Sequence, residues 1–404
     1  MSQPLDGIRV LEWGPFFAGP ATAAILGDMG AEVIKIEEPG VGDPVRGVYR
    51  VSGMPIDLPG DRNVVWEISG RNKQSVAVDI SKEAGRDVVY RLIKDTDVFV
   101  TSYRQAVVDK LGMDYTTLCQ FNNKLIYCRV SGYGAKGPLS NLGAFDFAIQ
   151  GYSGMMTCMG EPDGDPTLLH YGALDQATST VAAFQIVTAL MVRERQGMGQ
   201  ELHTSLLGTG MWLLYQNICV ALLTGQDTPR HSRVASPNPL RNFYRCADGK
   251  WVICCHIPPS RYWHAFCEAL GITDIELDSR FNDDTSREKN AAELVALLDR
   301  VFVSKPAKEW LRIFSAKDLI LSPVNSSLDL IQDEQVIAND FIVDFDHPVM
   351  GKVGFPGLPF SFSKTPGGPR SAAPELGQHT EQVLIDVAGY TWDELSELRK
   401  QEII

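Results

Sequence analysis

The sequence predicts an α/β protein, with a large domain on an open, mostly parallel sheet and a smaller α+β domain after it. Three observations carry this. Short buried strands alternate with helix-length segments over roughly the first 200 residues, the pattern of successive crossover units. The first unit sets a small-residue helix between two apolar strands, so it is parallel and right-handed. The composition then shifts at Gly225–Pro239, a polar stretch with three prolines, and a hairpin signal and several helices follow.

Taken in order, Ile8–Glu12 reads as a strand running into Trp13–Gly14–Pro15–Phe16–Phe17–Ala18–Gly19–Pro20. A helix spans Ala21–Met29, with Pro20 suited to its first turn and Gly30 to its stop. Glu32–Glu37 is the next strand and Gly40–Asp61, rich in Gly and Pro, is loop. Strand Ser75–Ile80, a helix capped by Ser81 and running to Lys94, strand Asp97–Thr101, helix Ala106–Phe121 and strand Leu125–Val130 continue the alternation. The ligand of such a sheet sits at the carboxyl ends of its strands. Those loops are Gly14–Phe17, Glu38–Arg46, Ser102–Arg104 and Ser131–Gly137.

The stretch from His170 to Gln196 is the candidate for chemistry. Behind Asp175, small and large apolar residues recur at helical spacing (Val181, Ala182, Phe184, Val187, Leu190, Met191), Arg193 and Arg195 fill the last turn, and Gly197 follows. Asp175 therefore falls at or beside the N-cap, where free amides and the helix dipole are expected to keep it ionised at neutral pH. By local pattern alone it is only a cap.

Strand Glu201–Leu206 and an apolar helix Gly208–Leu223 close the first domain, taken as residues 1–224. Residues 225–322 form the small domain: strands Asn242–Cys246 and Lys250–Cys255 about the turn Ala247–Asp248–Gly249, then helices Ser260–Leu270, Ser286–Val303 and Ala307–Phe314. Residues 323–404 are loop-rich between Gly351 and Pro374 and end in helices Glu381–Ala388 and Trp392–Lys400.

Composition excludes several classes. With 44% hydrophobic and 22% charged residues the chain is an ordinary globular one, and a net charge of −13 argues against nucleic acid or an anionic membrane as partner. No apolar run reaches bilayer length and no secretory signal is visible at MSQPLDGIRV. The eight cysteines lack CxxC spacing, and most read as buried hydrophobes in a reducing cytoplasm, so the expected location is cytoplasmic. The seven histidines show no HxH or HExxH pairing, so no metal site is expected. The first crossover lacks G-x-G-x-x-G, and Glu37 and Glu38 alone are weak support for a dinucleotide. Lys35, Arg46, Arg71, Lys73, Arg104 and Lys110 are scattered, and each taken singly reads as solvated surface.

Several segments together resemble one family. PLDGIRVLEWGPFFAGPATAAILGDMGAEVIKIEEPGVGDPVR, RNKQSVAVDI, SGYGAKGP, GALDQATSTVAAFQIVTAL, NFYRCADGKWV and LGQHTEQVL are similar, in order, to the landmarks of the class III CoA-transferases, the CaiB/BaiF family. The resemblance spans essentially the whole chain. It implies a Rossmann-like, CoA-binding large domain completed by residues 323–404, and an interlocked homodimer, a heteromer being the alternative assembly. No tightly bound cofactor is implied. Coenzyme A enters as substrate, in an acyl-CoA donor, and a small carboxylic acid is the acceptor.

The resemblance also implies that Asp175 is the nucleophile, forming covalent intermediates with the acyl group and with CoA. By the same route, CoA would lie along Pro15, Phe16, Phe17, Ala18, Glu38, Asn72, Lys73, Ser102, Tyr103, Arg104, Lys110, Leu111, Ser131 and Tyr133. Phe17 stands where some members carry glutamine, and the glycine run that formyl-CoA transferase has in its small domain is absent. With Trp13, Phe145, Tyr152, Met155, Met156 and Met159, Phe16 and Phe17 would supply an apolar pocket for a bulky acyl group.

The α-methylacyl-CoA racemases share this resemblance and are the alternative. They resemble a G-H-D-I-N-Y segment where this chain has Ala144–Phe145–Asp146–Phe147, and carry a glutamate where proline follows His256–Ile257. Two titratable groups needed to move an α-proton are thus missing, and His256 reads as structural.

Overall fold

The structure, a computed structural model, describes residues 2–169 and 172–404. The chain divides into two compact units, one of Met1–Met155, Leu168–Cys219 and Ile337–Ile404, the other of Met156–Thr167 and Val220–Val336. The sequence reading has 225 and 322 for the borders of the second unit.

In the large unit, β1 (Arg9–Trp13), α1 (Ala18–Asp28), β2 (Glu32–Glu37), β3 (Lys73–Ala77), α2 (Glu83–Ile93), β4 (Val98–Thr101), α3 (Gln105–Lys110), β5 (Ile126–Ser131), α4 (Asp146–Tyr152), α5 (Ala173–Gln196) and β6 (Gln200–Ser205) follow one another. All strands pair in parallel, in the order β3-β2-β1-β4-β5-β6. This is the doubly wound order in which the chain reverses direction between β1 and β4, and the crevice outside their carboxyl ends is where such folds bind ligands.

Side-chain alternation along the strands divides the core. Val10, Val33, Val100, Cys128 and Val130 face α1 and α5, where Ala23, Ala182, Ala183 and Ala189 let the helices approach closely. Leu11, Ile34, Val76, Phe99 and Tyr127 face the other side, packing with Val88 and Leu92 of α2 and with Val383, Leu384, Leu395 and Leu398 from the C-terminal stretch.

Several boundaries differ from the sequence reading. Ser81 does not cap α2: its hydroxyl donates to Asp79, and Lys82 takes the N-cap without a side-chain bond. The apolar helix after β6 is two helices, α6 (Leu206–Leu213) and α7 (Tyr215–Thr224), bent by 77°. Among the described residues no single helix is long and apolar enough to cross a membrane. In the second unit, antiparallel strands Phe243–Arg245, Trp251–Cys254 and Leu321–Pro323 pack with Phe266, Leu298, Phe302, Trp310 and Phe314 of its helices. The predicted helix 286–303 begins anew at Asn290, as Asp284–Lys289 and Ala291–Phe302.

Candidate active site

The turn after β1 is shaped by close approach. A Cβ on Gly14 would come within 2.5 Å of the Ser102 hydroxyl, and one on Gly19 within 2.8 Å, so only glycine lets this turn lie against the loop after β4. Between them Phe16 is left-handed, at φ 64°, a costly conformation for a residue with a side chain. Its amide donates to Asp43 Oδ1 at 3.0 Å. Asp43 is held in turn by Lys35, whose ammonium lies 2.9 Å from Asp43, 2.6 Å from Glu12 and 2.9 Å from the Gly14 carbonyl.

Burial alone would pull Lys35 down, but Asp43, Glu12 and Glu37 outweigh it and hold the ammonium above the usual lysine range. Lys73 completes the cluster on Glu12 and the Pro20 carbonyl, and burial pulls it down to about 8. The scattered cations are therefore not all surface: Lys35 and Lys73 form an interior charge network that fixes the Gly14–Phe17 turn. Charges so placed stay buried because each has a partner.

The turn closes one wall of a cavity of about 410 Å³ at the reversal point of the sheet. Pro15, Phe16, Phe17 and Ala18 line it from β1, Ser102, Tyr103 and Arg104 from β4, Arg129 and Ser131 from β5, and Asp175 from α5. Phe16 meets Phe145 edge to face at 5.3 Å, and both rings are exposed. Pro15 and Tyr103 also border a second hollow of about 250 Å³, which reaches Glu38 and Leu111.

Other residues expected there lie elsewhere. Asn72 is buried, its amide nitrogen on Asp28 at 2.8 Å and its oxygen accepting from Arg370 and Ser371, so it ties the C-terminal stretch to the sheet. Lys73 is consumed by Glu12. Lys110 is exposed at the end of α3, and Tyr133 packs edge to face on Tyr152 at 5.3 Å; neither borders these two hollows. Of the expected apolar lining, Trp13 meets Tyr103 in a tilted ring contact at 4.2 Å and Met155 joins the core, while Met156 and Met159 belong to the second unit.

Asp175 is the third residue of α5, not its cap. The N-cap is Gly172, left-handed at φ 67° and without a capping side chain, and His170 and Tyr171 lie outside the described residues. The cap is supplied from α4: Asp146 Oδ2 accepts from the amides of Leu174 at 2.8 Å and Asp175 at 2.9 Å. Gln150 bonds the other Asp146 oxygen and pins Leu169, donating to its carbonyl at 2.7 Å and accepting from its amide at 2.9 Å.

The amides that were to hold Asp175 ionised are thus occupied by another carboxylate. Burial, and then the negative charge of Asp146, push Asp175 up to about 7. The expectation of full ionisation at neutral pH is overturned. A cavity carboxyl raised toward neutrality in this way is a candidate for acid–base or nucleophilic chemistry.

A family model described as CoA-transferase family III matches residues 5–380. The chain belongs to CoA-transferase family III. A succinyl-CoA–D-citramalate CoA-transferase of Chloroflexus aurantiacus is 30% identical over 100% of this chain and 98% of its own length. A succinyl-CoA:glutarate CoA-transferase of Mus musculus is 30% identical over 96% of this chain and 87% of that protein. The crystal structure of a CaiB/BaiF family protein from Brucella suis superposes with a TM-score of 0.84 at 30% identity, covering 96% of this chain and all of that one. This family III enzyme accordingly takes CoA thioesters as substrates.

Neither titratable group that the racemase alternative needs is in place, since Phe145 and Pro258 occupy those positions. Phe145 stands at the mouth of the cavity where those enzymes would have histidine. His256 is fully buried in the second unit, its Nδ1 donating to the Leu240 carbonyl at 3.2 Å and its Nε2 accepting from Ile320 N at 3.1 Å. Burial lowers its pKa, and it is structural.

The reading from sequence missed Asp146 and Arg129. A signal existed for each: Asp146 is a lone carboxylate between two phenylalanines, and Arg129 interrupts the apolar strand LIYCRV.

Proposed function

We propose that this protein moves CoA from an acyl-CoA thioester to a free carboxylic acid, with Asp175 as the covalent carrier. The supporting observation is the Asp175 carboxyl in the cavity at the sheet's reversal point, titrating near neutrality beside an apolar mouth. An Asp175 oxygen attacks the thioester carbonyl, the C–S bond breaks, and CoA leaves as thiolate from a mixed anhydride. The thiolate attacks the aspartyl carbonyl, releasing the donor acid as carboxylate and leaving an aspartyl-CoA thioester. The acceptor carboxylate displaces thiolate to form a second anhydride, and thiolate attack on its acyl carbonyl yields the new acyl-CoA and free Asp175. Each addition develops an oxyanion. The Leu174 and Asp175 amides are already committed to Asp146, so donors elsewhere on the cavity wall would meet it.

Anhydride and thioester both hydrolyse, so water must be excluded. A second copy of this chain would do so. Trp212, Leu213 and Tyr215 at the bend between α6 and α7 are all more than half exposed, apolar surface of the kind that marks an interface. Light scattering should give the mass of two chains; a single-chain mass at working concentration contradicts this arrangement.

The transfer reading is tested by incubating the protein with succinyl-CoA and a panel of carboxylates in D2O. New acyl-CoA should appear without deuterium at the α-carbon. Deuterium wash-in with no CoA exchange would reverse the assignment in favour of proton transfer.

A further inference from the structure

We propose that Arg129 anchors an anionic oxygen group of the bound substrate in the Asp175 cavity, a reading that rests on this cavity being the site of CoA transfer. Arg129 lies in β5, paired with Thr101 of β4 and His203 of β6 and flanked by the fully buried Cys128 and Val130. The residue is only 3% exposed, yet its Nε and Nη1 have no hydrogen-bond partner among the described residues. The other deeply buried arginines differ: Arg62 has the Glu67 carboxylate and Arg287 that of Asp284. A guanidinium cannot escape the cost of burial by losing its proton, as a lysine can. An unpaired one in a sheet interior is therefore costly unless something anionic meets it.

The anion is not Asp175. Neither Nε nor Nη1 of Arg129 is bonded to that carboxyl. Arg129 lines the same cavity but is left for a part of the ligand away from the reacting carbonyl. Its planar fork matches the paired oxygens of a carboxylate or phosphate. Two parts of the substrates carry that chemistry: the far carboxylate of a dicarboxylic acyl chain, and the phosphates of CoA.

The test compares wild type with Arg129→Gln, Arg129→Lys and Arg129→Met, using succinate and butyrate as acceptors and titrating CoA and pyrophosphate by calorimetry. The acids have equal chain length and differ by one carboxylate. If that carboxylate is the ligand, Arg129→Gln lowers kcat/KM for succinate relative to butyrate by roughly 10- to 100-fold, the worth of a charge-assisted hydrogen bond, and leaves CoA affinity unchanged. If the phosphates are the ligand, CoA and pyrophosphate weaken by a similar factor and both acids suffer alike. Arg129→Lys, which keeps the charge without the fork, should fall between in either case.

Arg129→Met, an apolar replacement of similar length, should melt at or above the wild-type temperature, because it removes an unpaired buried charge. A folded variant with unchanged acid ratio and unchanged CoA and pyrophosphate affinity overturns the proposal. So does an Arg129→Met that melts far below wild type with those ratios intact, since the guanidinium would then be structural. Should wild type transfer CoA to none of the acids, the transfer reading fails. Calorimetric titrations of succinate, butyrate and CoA would still decide Arg129.

Discussion

Asp175→Asn should abolish CoA exchange, with a loss of at least about 10⁴-fold in kcat, while the protein folds and binds CoA. The amide is nearly isosteric, so the walls of the cavity are undisturbed, and only the nucleophile is removed. A second effect separates this variant from a merely damaged protein. In the folded chain Asp175 titrates near 7, well above its unfolded value of 3.8. Below both values it is protonated in either state and contributes nothing. Between them the unfolded chain ionises and the folded one does not, so stability falls as pH rises, and the whole penalty is present above 7. The asparagine lacks this penalty, which partial solvent screening brings to about 2–3 kcal/mol. Denaturation curves should therefore show Asp175→Asn more stable than wild type at pH 8 and equal to it at pH 3. A variant that keeps an appreciable fraction of the rate would remove Asp175 from the mechanism.

Asp146→Asn should move the pH profile without destroying the site. The asparagine oxygen can still accept from the Leu174 and Asp175 amides, so α5 stays in place, but the negative charge beside Asp175 is gone. Burial remains as the upward pull and the charge repulsion does not, so the Asp175 carboxyl should ionise at lower pH. Because the ionised form attacks, kcat/KM rises with pH through the free-enzyme value, and this acidic limb should shift toward acid in the variant. The rate ratio between pH 6 and pH 8 reads the shift directly. Asp146→Ala removes the acceptor as well, leaving two helix-terminal amides unpaired, and should cost roughly 10- to 100-fold in kcat together with stability. An Asp146→Asn profile superimposable on wild type would mean that Asp146 only caps the helix.

The main strands and most helices were legible because each rests on local periodicity: EVIKIE reads as a buried strand and is one. What was not legible depends on residues far apart in sequence. Asp175 was placed on the correct helix, but the carboxylate that takes the amides at that helix end, Asp146, lies 29 residues upstream. Lys35 and Lys73 look like any surface lysines until the fold brings Glu12 between them. Asn72 and Lys73 matched the family pattern and still point into the interior, since a motif match does not say which way a side chain faces. The bend at Leu214 carries no glycine or proline to announce it, and apolar residues continue on both sides. Arg129 and Asp146 did give local signs, a charge inside a strand of mostly apolar residues and a carboxylate between two phenylalanines.

The most direct test of covalent carriage by Asp175 is peptide mass spectrometry of the enzyme during turnover with an acyl-CoA and hydroxylamine. Both intermediates are activated acyl derivatives of that carboxyl, so hydroxylamine should convert it to the hydroxamate, adding about 15 Da to the peptide containing Asp175 while activity is lost. An enzyme that turns over acyl-CoA in hydroxylamine, remains active and yields an unmodified Asp175 peptide would contradict the account.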